Sequence, residues 1–544
     1  MFTFDDFSDK KDWNVLTLLK KRAEKLGEEE FIEFDSGKKL TFKSLEEKST
    51  QLALRLRAMG LDENENVFCF LKNCPEFLIS MFAILKCGAI FVPINTELRG
   101  KFLDHQYRNC EPKVVIINDS LVNCFSKLEP LKNKLLGIIY VGDEFKKNPH
   151  KALISEHQLI FEDVLNFDSK VDVNELTLNP SAHKICSIMY TSGTTGPSKG
   201  VMLSHGHLFS FAINTAKVSY LTRNDIYYIC MPLFHVNGLG IQCLSSLYAG
   251  IRVYCRERFS PNKWLGDVIK SGATITNLLG VMPEFVFNTK PSSLDKKHSL
   301  RVVGAVPISK EWAKEFEKRF NIRFLQGFGM TESGMSFYED LNEETTIPGC
   351  AGYPVSDLYE VKIANPENDE FLPPNTVGEL LIRPKHPGIF SAGYYKMPEK
   401  TLESWRNLWF HTGDACYFDK EGRMHYFDRI KDCIRRRGEN ISAFELEQVV
   451  NSYESVIECA AIGVKTKDSG GEEEVLVCIV KENNTEIELE DFLLYCKENL
   501  PRFAIPKFIR YVETIKKTGS GKLSKVIVRE EGLTSDSILL DKKL

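Results

Sequence analysis

Between positions 190 and 201 the chain runs Tyr-Thr-Ser-Gly-Thr-Thr-Gly-Pro-Ser-Lys-Gly-Val, so Thr191, Ser192, Gly193, Thr194, Thr195, Gly196 and Lys199 share one short segment. Glycines let backbone amides turn inward on an anion, hydroxyls donate further hydrogen bonds, and a lysine adds a point charge. This is the composition of a loop that grips a polyphosphate. It is not a Walker A loop, which has glycine directly before the lysine and Ser or Thr directly after it; here Ser198 precedes Lys199 and Gly200 follows. Farther along stand Phe234-His235, then Gln326-Gly327-Phe328-Gly329-Met330-Thr331-Glu332, then His-Thr-Gly-Asp ending at Asp414, and last Thr-Gly-Ser-Gly-Lys ending at Lys522. Taken singly, each has a bland reading. Thr331-Glu332 is an N-cap turn, Asp414 a turn residue, Lys522 a solvated lysine and His235 a packed core histidine. Beside a polyphosphate loop the same side chains are what anion chemistry needs, namely cations, donors and a carboxylate to neutralise and orient developing charge.

The elements that must position these residues are legible as alternation. An apolar strand, 185–189, leads into the loop. Residues 114–117 and 138–141 read as buried strands, and Leu45, Leu52, Leu54 and Leu56 lie in a helix-like segment ending at Gly60. Such alternation predicts a doubly wound α/β architecture. The apolar run 77–94 is broken by Lys86, Gly88 and Pro93, which predicts a helix, a turn and a buried strand rather than a membrane span. Beyond a strand-like 424–427 and a charged run, the pattern changes. Ser442 and Glu445 have capping-box spacing, and Leu446, Val449 and Val450 share one helical face. Residues 456–464 and 475–480 read as strands, and 488–500 as a helix stopped by Pro501. This predicts a compact α/β unit, small enough to move as a rigid body.

Composition sets outer bounds. With 70 basic against 75 acidic residues, the net charge of −5 leaves no surplus to neutralise nucleic-acid phosphates. An apolar share of 43% excludes a disordered or fibrous chain. The 15 cysteines are scattered, without CxxC or zinc-ligand spacing, and fit reduced, buried thiols. The first residues lack a signal-peptide pattern, and the final Lys543-Leu544 matches only part of a peroxisomal address, so the expectation is a cytoplasmic protein with the peroxisome as alternative.

The strings above, in their order, resemble the signatures of adenylate-forming enzymes: acyl-CoA synthetases, beetle luciferases and nonribosomal-peptide adenylation domains. Asp428-Arg429-Ile-Lys431-Asp432 and Gly438-Glu439-Asn440 belong to the same series, and Asn73-Cys-Pro-Glu76 with Val92-Pro93-Ile94-Asn95 extends the resemblance toward the N-terminus. The resemblance implies a large N-terminal domain, 1–430, of packed α/β subdomains plus a β-barrel-like subdomain. A small mobile α/β C-terminal lid, 431–544, would follow, with its hinge at Lys431.

It also implies roles. Thr191 through Gly196, with Lys199, would hold the ATP phosphates. Gly304, Ala305, Gln326, Gly327, Phe328, Gly329 and Met330 would line the adenine site. Thr331 would donate to phosphate, Glu332 with Thr191 would hold Mg²⁺, and Asp414 assisted by Arg429 would bind the ribose. His235 would lie by the reacting carboxyl, Lys522 would neutralise the carboxylate and α-phosphate, and Gly438 with Glu439 would meet CoA. Arg435, Arg436 and Arg437 read either as CoA-phosphate contacts or as a solvated run. Phe328 stands where the family more often has tyrosine, which keeps a stacking face but loses a phenol, and the segment from Leu300 to Pro307 departs from the usual Gly-Gly-Ala-Pro.

The activity implied is an acid–CoA ligase. A carboxylate and ATP give acyl-AMP and pyrophosphate, and CoA then gives acyl-CoA and AMP. The pattern looks closest to crotonobetaine/carnitine–CoA ligases and medium-to-long-chain acyl-CoA synthetases, so the substrate expected is a fatty or carnitine-type acid. The alternatives are an acyl-AMP ligase that does not use CoA and a non-catalytic nucleotide-binding protein on the same fold. The partners expected are these small molecules, with no nucleic acid and no transmembrane segment, in a monomer or homodimer.

Overall fold

The structure is a computed structural model; it describes residues 7, 9, 12–125, 128, 135–142, 158–166, 171–191, 198–280, 282–306, 308, 312–343, 346–429, 433–437, 439–466, 472–482, 485–515 and 525–540. Two seven-stranded sheets, parallel but for one edge pair each, form the body. The first runs, in spatial order, Gln158–Ile160, Gly137–Val141, Val114–Asn118, Asn66–Phe70, Ile90–Pro93, Ile185–Thr191 and Lys199–Ser204. The second runs Arg323–Leu325, Val302–Val306, Ile275–Leu279, Ile226–Ile229, Arg252–Cys255, Glu30–Phe34 and Lys39–Thr41. The expected strands at 114–117 and 138–141 are adjacent and parallel.

One hydrophobic core includes residues from both sheets and the helices packed on them, with Phe42–Ala58, Pro75–Lys86 and His205–Val218 prominent. Every residue of Pro75–Lys86 is buried, which explains why the stretch from 77 to 85 is apolar on every face. Its one lysine is accommodated because the Lys86 ammonium donates to the Glu46 carbonyl, Ser49 Oγ and Thr50 Oγ1 and pairs with the Glu46 carboxylate at 2.9 Å. Among the described residues, no helix is long and apolar enough to cross a membrane.

A third seven-stranded sheet is antiparallel: Gly327–Met330, Gly334–Tyr338, Cys350–Pro354, Met424–Arg429, Phe410–Phe418, Gly378–Pro384 and Tyr359–Ala364. This is the barrel-like part, although its two edge strands are not hydrogen-bonded to each other. After it, the hairpin of Cys433–Arg436 and Glu439–Ser442 and the sheet of Val456–Val464, Glu474–Lys481, Phe508–Tyr511 and Ile538–Leu539 pair only among themselves in the described residues. The capping-box helix is Ala443–Val450, and the helix before Pro501 is Leu489–Asn499. This unit packs on the outer face of the first sheet, where Ile434, Ile441 and Leu446 share one core with Phe68, Val92 and Ile188. Gly100 lies so near the Asn499 backbone that a Cβ there would stand 3.1 Å from its Cα. No disulfide joins the cysteines with described side chains, and most of these thiols are buried, as their scatter predicted.

Candidate active site

The phosphate-loop candidates flank a hairpin turn. Thr191 ends one strand, Lys199 begins the next, and the two are direct antiparallel partners. Ser192, Gly193, Thr194, Thr195 and Gly196 lie outside the described residues. Lys199 Nζ stands 4.6 Å from the centroid of the Tyr394 ring. The Tyr394 hydroxyl in turn donates to Glu332 Oε1 at 3.0 Å. Glu332 is buried, and its carbonyl accepts from the Ser391 amide at 2.9 Å. Tyr394 therefore holds a cation on its face and a carboxylate at its edge. No motif in the sequence marked Tyr394.

Gly327–Met330 is an edge strand of the third sheet and delivers Thr331 and Glu332 to this place. It is anchored by Gln326. The Gln326 amide donates to Glu339 Oε1 and the Ile347 carbonyl, both at 2.8 Å, and its oxygen accepts from the Gly349 amide. The Gln326 side chain is thus held within the protein, and what it contributes is the position of the strand. Burial dominates at its partner Glu339 and holds that carboxyl above the usual range despite the Gln326 bonds. Phe328 is half-buried and packs edge-on to Phe337, with centroids 6.2 Å apart. Ala305 is buried in the core on the far side of the second sheet, while Gly304 faces Asn277, its register partner on the neighbouring strand.

Asp414 is buried within Phe410–Phe418 and pairs across the sheet with Arg429. The turn leading to it is organised by Glu379, whose Oε1 accepts from the Gly413 amide at 3.0 Å and whose Oε2 lies 2.9 Å from His411 Nδ1. Thr412 Oγ1 accepts from the Asp414 amide and donates to the Leu380 carbonyl. Sequence reading missed Glu379, which sits outside the motif it supports.

A cavity of about 200 Å³ brings the remaining pieces together. Met189, Thr191, Phe234, His235, Val236 and Thr331 form its body side, and Glu439, Ile441 and Phe503 close it from the C-terminal unit. His235 Nε2 stands 3.1 Å from Glu439 Oε1. Burial alone would depress the imidazole, but the Glu439 charge and hydrogen bond outweigh it and hold His235 above its ordinary value. The three arginines do not act as one run. Arg436 is buried, ion-paired with Glu474, and donates to the carbonyls of Phe503 and Ile505. It is neither a solvated residue nor a phosphate contact but a brace under the cavity wall. Lys431, Gly438 and Lys522 lie outside the described residues.

Among the described residues, no cluster of three or more His, Cys, Asp or Glu could hold a metal alone. One buried carboxylate, Glu332, with one oxygen fixed by Tyr394, suits a hard cation that takes its other ligands from phosphates and water.

The family profile described as AMP-binding enzyme matches residues 19–395, and that described as AMP-binding enzyme C-terminal domain matches 445–522. A crotonobetaine/carnitine–CoA ligase of Citrobacter koseri is 28% identical over 513 residues, covering 92% of this chain and 96% of the relative. Among solved structures, a double mutant of o-succinylbenzoate CoA synthetase from Bacillus subtilis, bound with its product analogue, superposes with a TM-score of 0.80 at 22% identity, covering 97% of this chain and 99% of that one. The same synthetase in complex with AMP gives 0.64 at 23% identity, covering 94% and 97%.

Proposed function

Because the chain belongs to the AMP-binding enzyme family of adenylate-forming acid–CoA ligases, we propose that its cavity is where a carboxylic acid is first adenylated and then passed to CoA. The enzyme is an AMP-forming acid–thiol ligase with ATP, Mg²⁺ and CoA as its cofactor and co-substrates. The observation that carries the reading is one cavity wall on which Thr191, Thr331 and His235 meet Glu439 from the C-terminal unit.

Lys199 and the Thr191 hydroxyl serve as polyphosphate ligands at the base of the loop. Thr331 donates to the same phosphates. Glu332 holds Mg²⁺, which would neutralise phosphate charge as the acid oxygen approaches. Asp414, positioned by Glu379, accepts from the ribose hydroxyls, with Arg429 alongside. Phe328 offers a ring face to adenine, against the strand that carries Gly304. Lys522 completes the adenylation arrangement and must withdraw before the thiol of CoA arrives, which calls for a hinge near Lys431 dividing 1–430 from 431–544. The better superposition on the B. subtilis synthetase bound to its product analogue than on the same enzyme with AMP supports assigning the described arrangement to the CoA step. In it Glu439 stands on His235, where the thiol would enter, and Gly438 would border the channel. This favours a CoA ligase over a ligase that stops at acyl-AMP.

We infer a fatty or carnitine-type acid as substrate, supported by the name of the Citrobacter relative. ATP–pyrophosphate exchange screened over short, medium and long fatty acids, carnitine-type betaines and aryl acids tests this, followed by CoA transfer with the acids that respond. Exchange with aryl acids alone would sink the substrate class. ATP binding without exchange for any acid would sink the activity.

A further inference from the structure

One helix, Gly100–Cys110, touches both strand ends from which the segment 192–197 springs. At roughly 100° per residue, His105, Gln106 and Asn109 fall within one arc of its surface. On the entering side, the Tyr190 hydroxyl donates to Asn109 Oδ1 at 2.7 Å and lies 3.4 Å from the Gln106 carbonyl. Burial pushes this phenol up, so it stays a protonated donor. On the returning side, Gln106 Nε2 donates to Ser198 Oγ at 3.2 Å, and His105 Nε2 stands 3.0 Å from the Ser198 carbonyl. A carbonyl only accepts, so this Nε2 carries the proton. Ser198 directly precedes Lys199. Because a trans peptide is planar, holding the Ser198 carbonyl also fixes the Lys199 amide, which points the opposite way.

The same helix reaches the Tyr394 segment. Lys396 Nζ donates to the Asn109 carbonyl at 3.2 Å, and the Tyr395 amide donates to the Gly200 carbonyl at 2.7 Å. The helix is itself anchored, since Asn66 Nδ2 donates to the Cys110 carbonyl at 2.6 Å, and Leu103 and Tyr107 lie in the core. Gln106 is buried and lines the cavity. Its Oε1 is buried without a partner, a cost that an apolar side chain of the same shape would avoid. The bond to Ser198 is what the glutamine offers against that cost. A segment carrying Gly193 and Gly196 loses much conformational freedom on closing around an anion, and fixing its ends beforehand reduces that loss.

We propose that His105 and Gln106 are positioning residues for the phosphate grip, setting the Ser198–Lys199 peptide while Asn109 sets the other end through Tyr190. This rests on reading 190–201 as the site of the ATP phosphates, and it gives a role to a helix that none of the motifs includes.

The test combines calorimetric titration of the full-length enzyme with MgATP and pyrophosphate exchange with the acids that respond. His105→Phe keeps an aromatic ring and removes the donor, and Gln106→Met keeps the length and removes the carboxamide. Each is expected to weaken MgATP binding and raise the KM for ATP about 3- to 10-fold, with the maximal exchange rate within about twofold, as loss of one hydrogen bond in ground-state binding requires. His105→Gln, which returns an N–H near the place of Nε2, should restore most of the loss. Bonds that served only the fold would lower the active fraction, and so the maximal rate, while leaving Kd and KM alone. Unshifted Kd and KM in either variant overturn that residue's role, and a His105→Gln enzyme no better than His105→Phe overturns the donor assignment. Tight MgATP binding by the wild-type enzyme beside unshifted variants removes this inference alone, whereas a wild-type enzyme that binds no MgATP removes the reading of the loop with it.

Discussion

Replacing Glu439 with glutamine isolates the contact between the two parts of the cavity wall, because the side chain keeps its length and a hydrogen-bonding end but loses its charge. The pair is 3.1 Å apart. At an effective dielectric constant near 20, unit charges at that distance attract by about 5 kcal/mol. The side chains are 34% and 25% exposed, so solvent screening reduces the usable part to about 1–2 kcal/mol. That corresponds to a roughly 5- to 30-fold shift away from the described arrangement. The two half-reactions read it separately. CoA transfer from supplied acyl-adenylate should slow by about that factor, while pyrophosphate exchange should hold or rise slightly. A pH signature accompanies it. Because His235 lies above its ordinary value of 6.5 in the folded enzyme, the pair is fully charged below that pH and is lost as pH rises through the raised value. In Glu439→Gln, the charge that chiefly opposes burial at His235 is gone, and the alkaline fall of CoA transfer should begin at lower pH. Equal slowing of both half-reactions, or an unmoved pH limb, would refute the reasoning.

Tyr394→Phe keeps the ring beneath Lys199 and removes the donor on Glu332. Hydrogen bonds to charged groups contribute about 1.5–3 kcal/mol, so pyrophosphate exchange should fall about 10- to 100-fold with a raised Mg²⁺ requirement, and an unchanged Mg²⁺ titration would count against the assignment. Glu379→Gln should leave the fold intact and raise the KM for ATP several-fold by loosening the turn before Asp414, as isothermal titration with ATP would confirm independently of turnover. Lys522→Ala should abolish pyrophosphate exchange and spare CoA transfer from supplied acyl-adenylate; parallel loss would contradict two separate arrangements.

What sequence could reveal here follows from where each role arises. The segment 190–201 and the string from Gln326 to Glu332 declare themselves because their chemistry is local: glycines, hydroxyls and a cation must be neighbours in the chain to share one anion. The first parallel sheet's strands at 114–117, 138–141 and 185–189 and the C-terminal strands were equally legible, since apolar runs of strand length carry their own period, whereas the strands of the second sheet were not read individually. Tyr394 and Glu379 were not, because their partners lie 62 and 32 residues away and neither residue type is distinctive. The antiparallel sheet was only partly visible. Strands such as Tyr359–Ala364 expose a lysine and half-bury a glutamate, so hydropathy alone does not mark them.

Arg436 shows how the missing part bears on catalysis. Three consecutive arginines read as one charged patch, yet neighbouring residues on a strand point to opposite faces, and alternation sends the middle one inward. There it joins the hairpin that presents Glu439 to the turn that presents Phe503. Both stand on the cavity wall. The buried guanidinium ties the two segments together beside their shared apolar contacts, held from below by Glu474, whose other oxygen pairs with Lys507. The inward arginine adds to the apolar contacts of Ile434, Ile441, Ala504 and Ile505, which share one core. If the C-terminal unit turns at a hinge near Lys431, as proposed, Glu439, Ile441 and Phe503 would leave the cavity together rather than one by one.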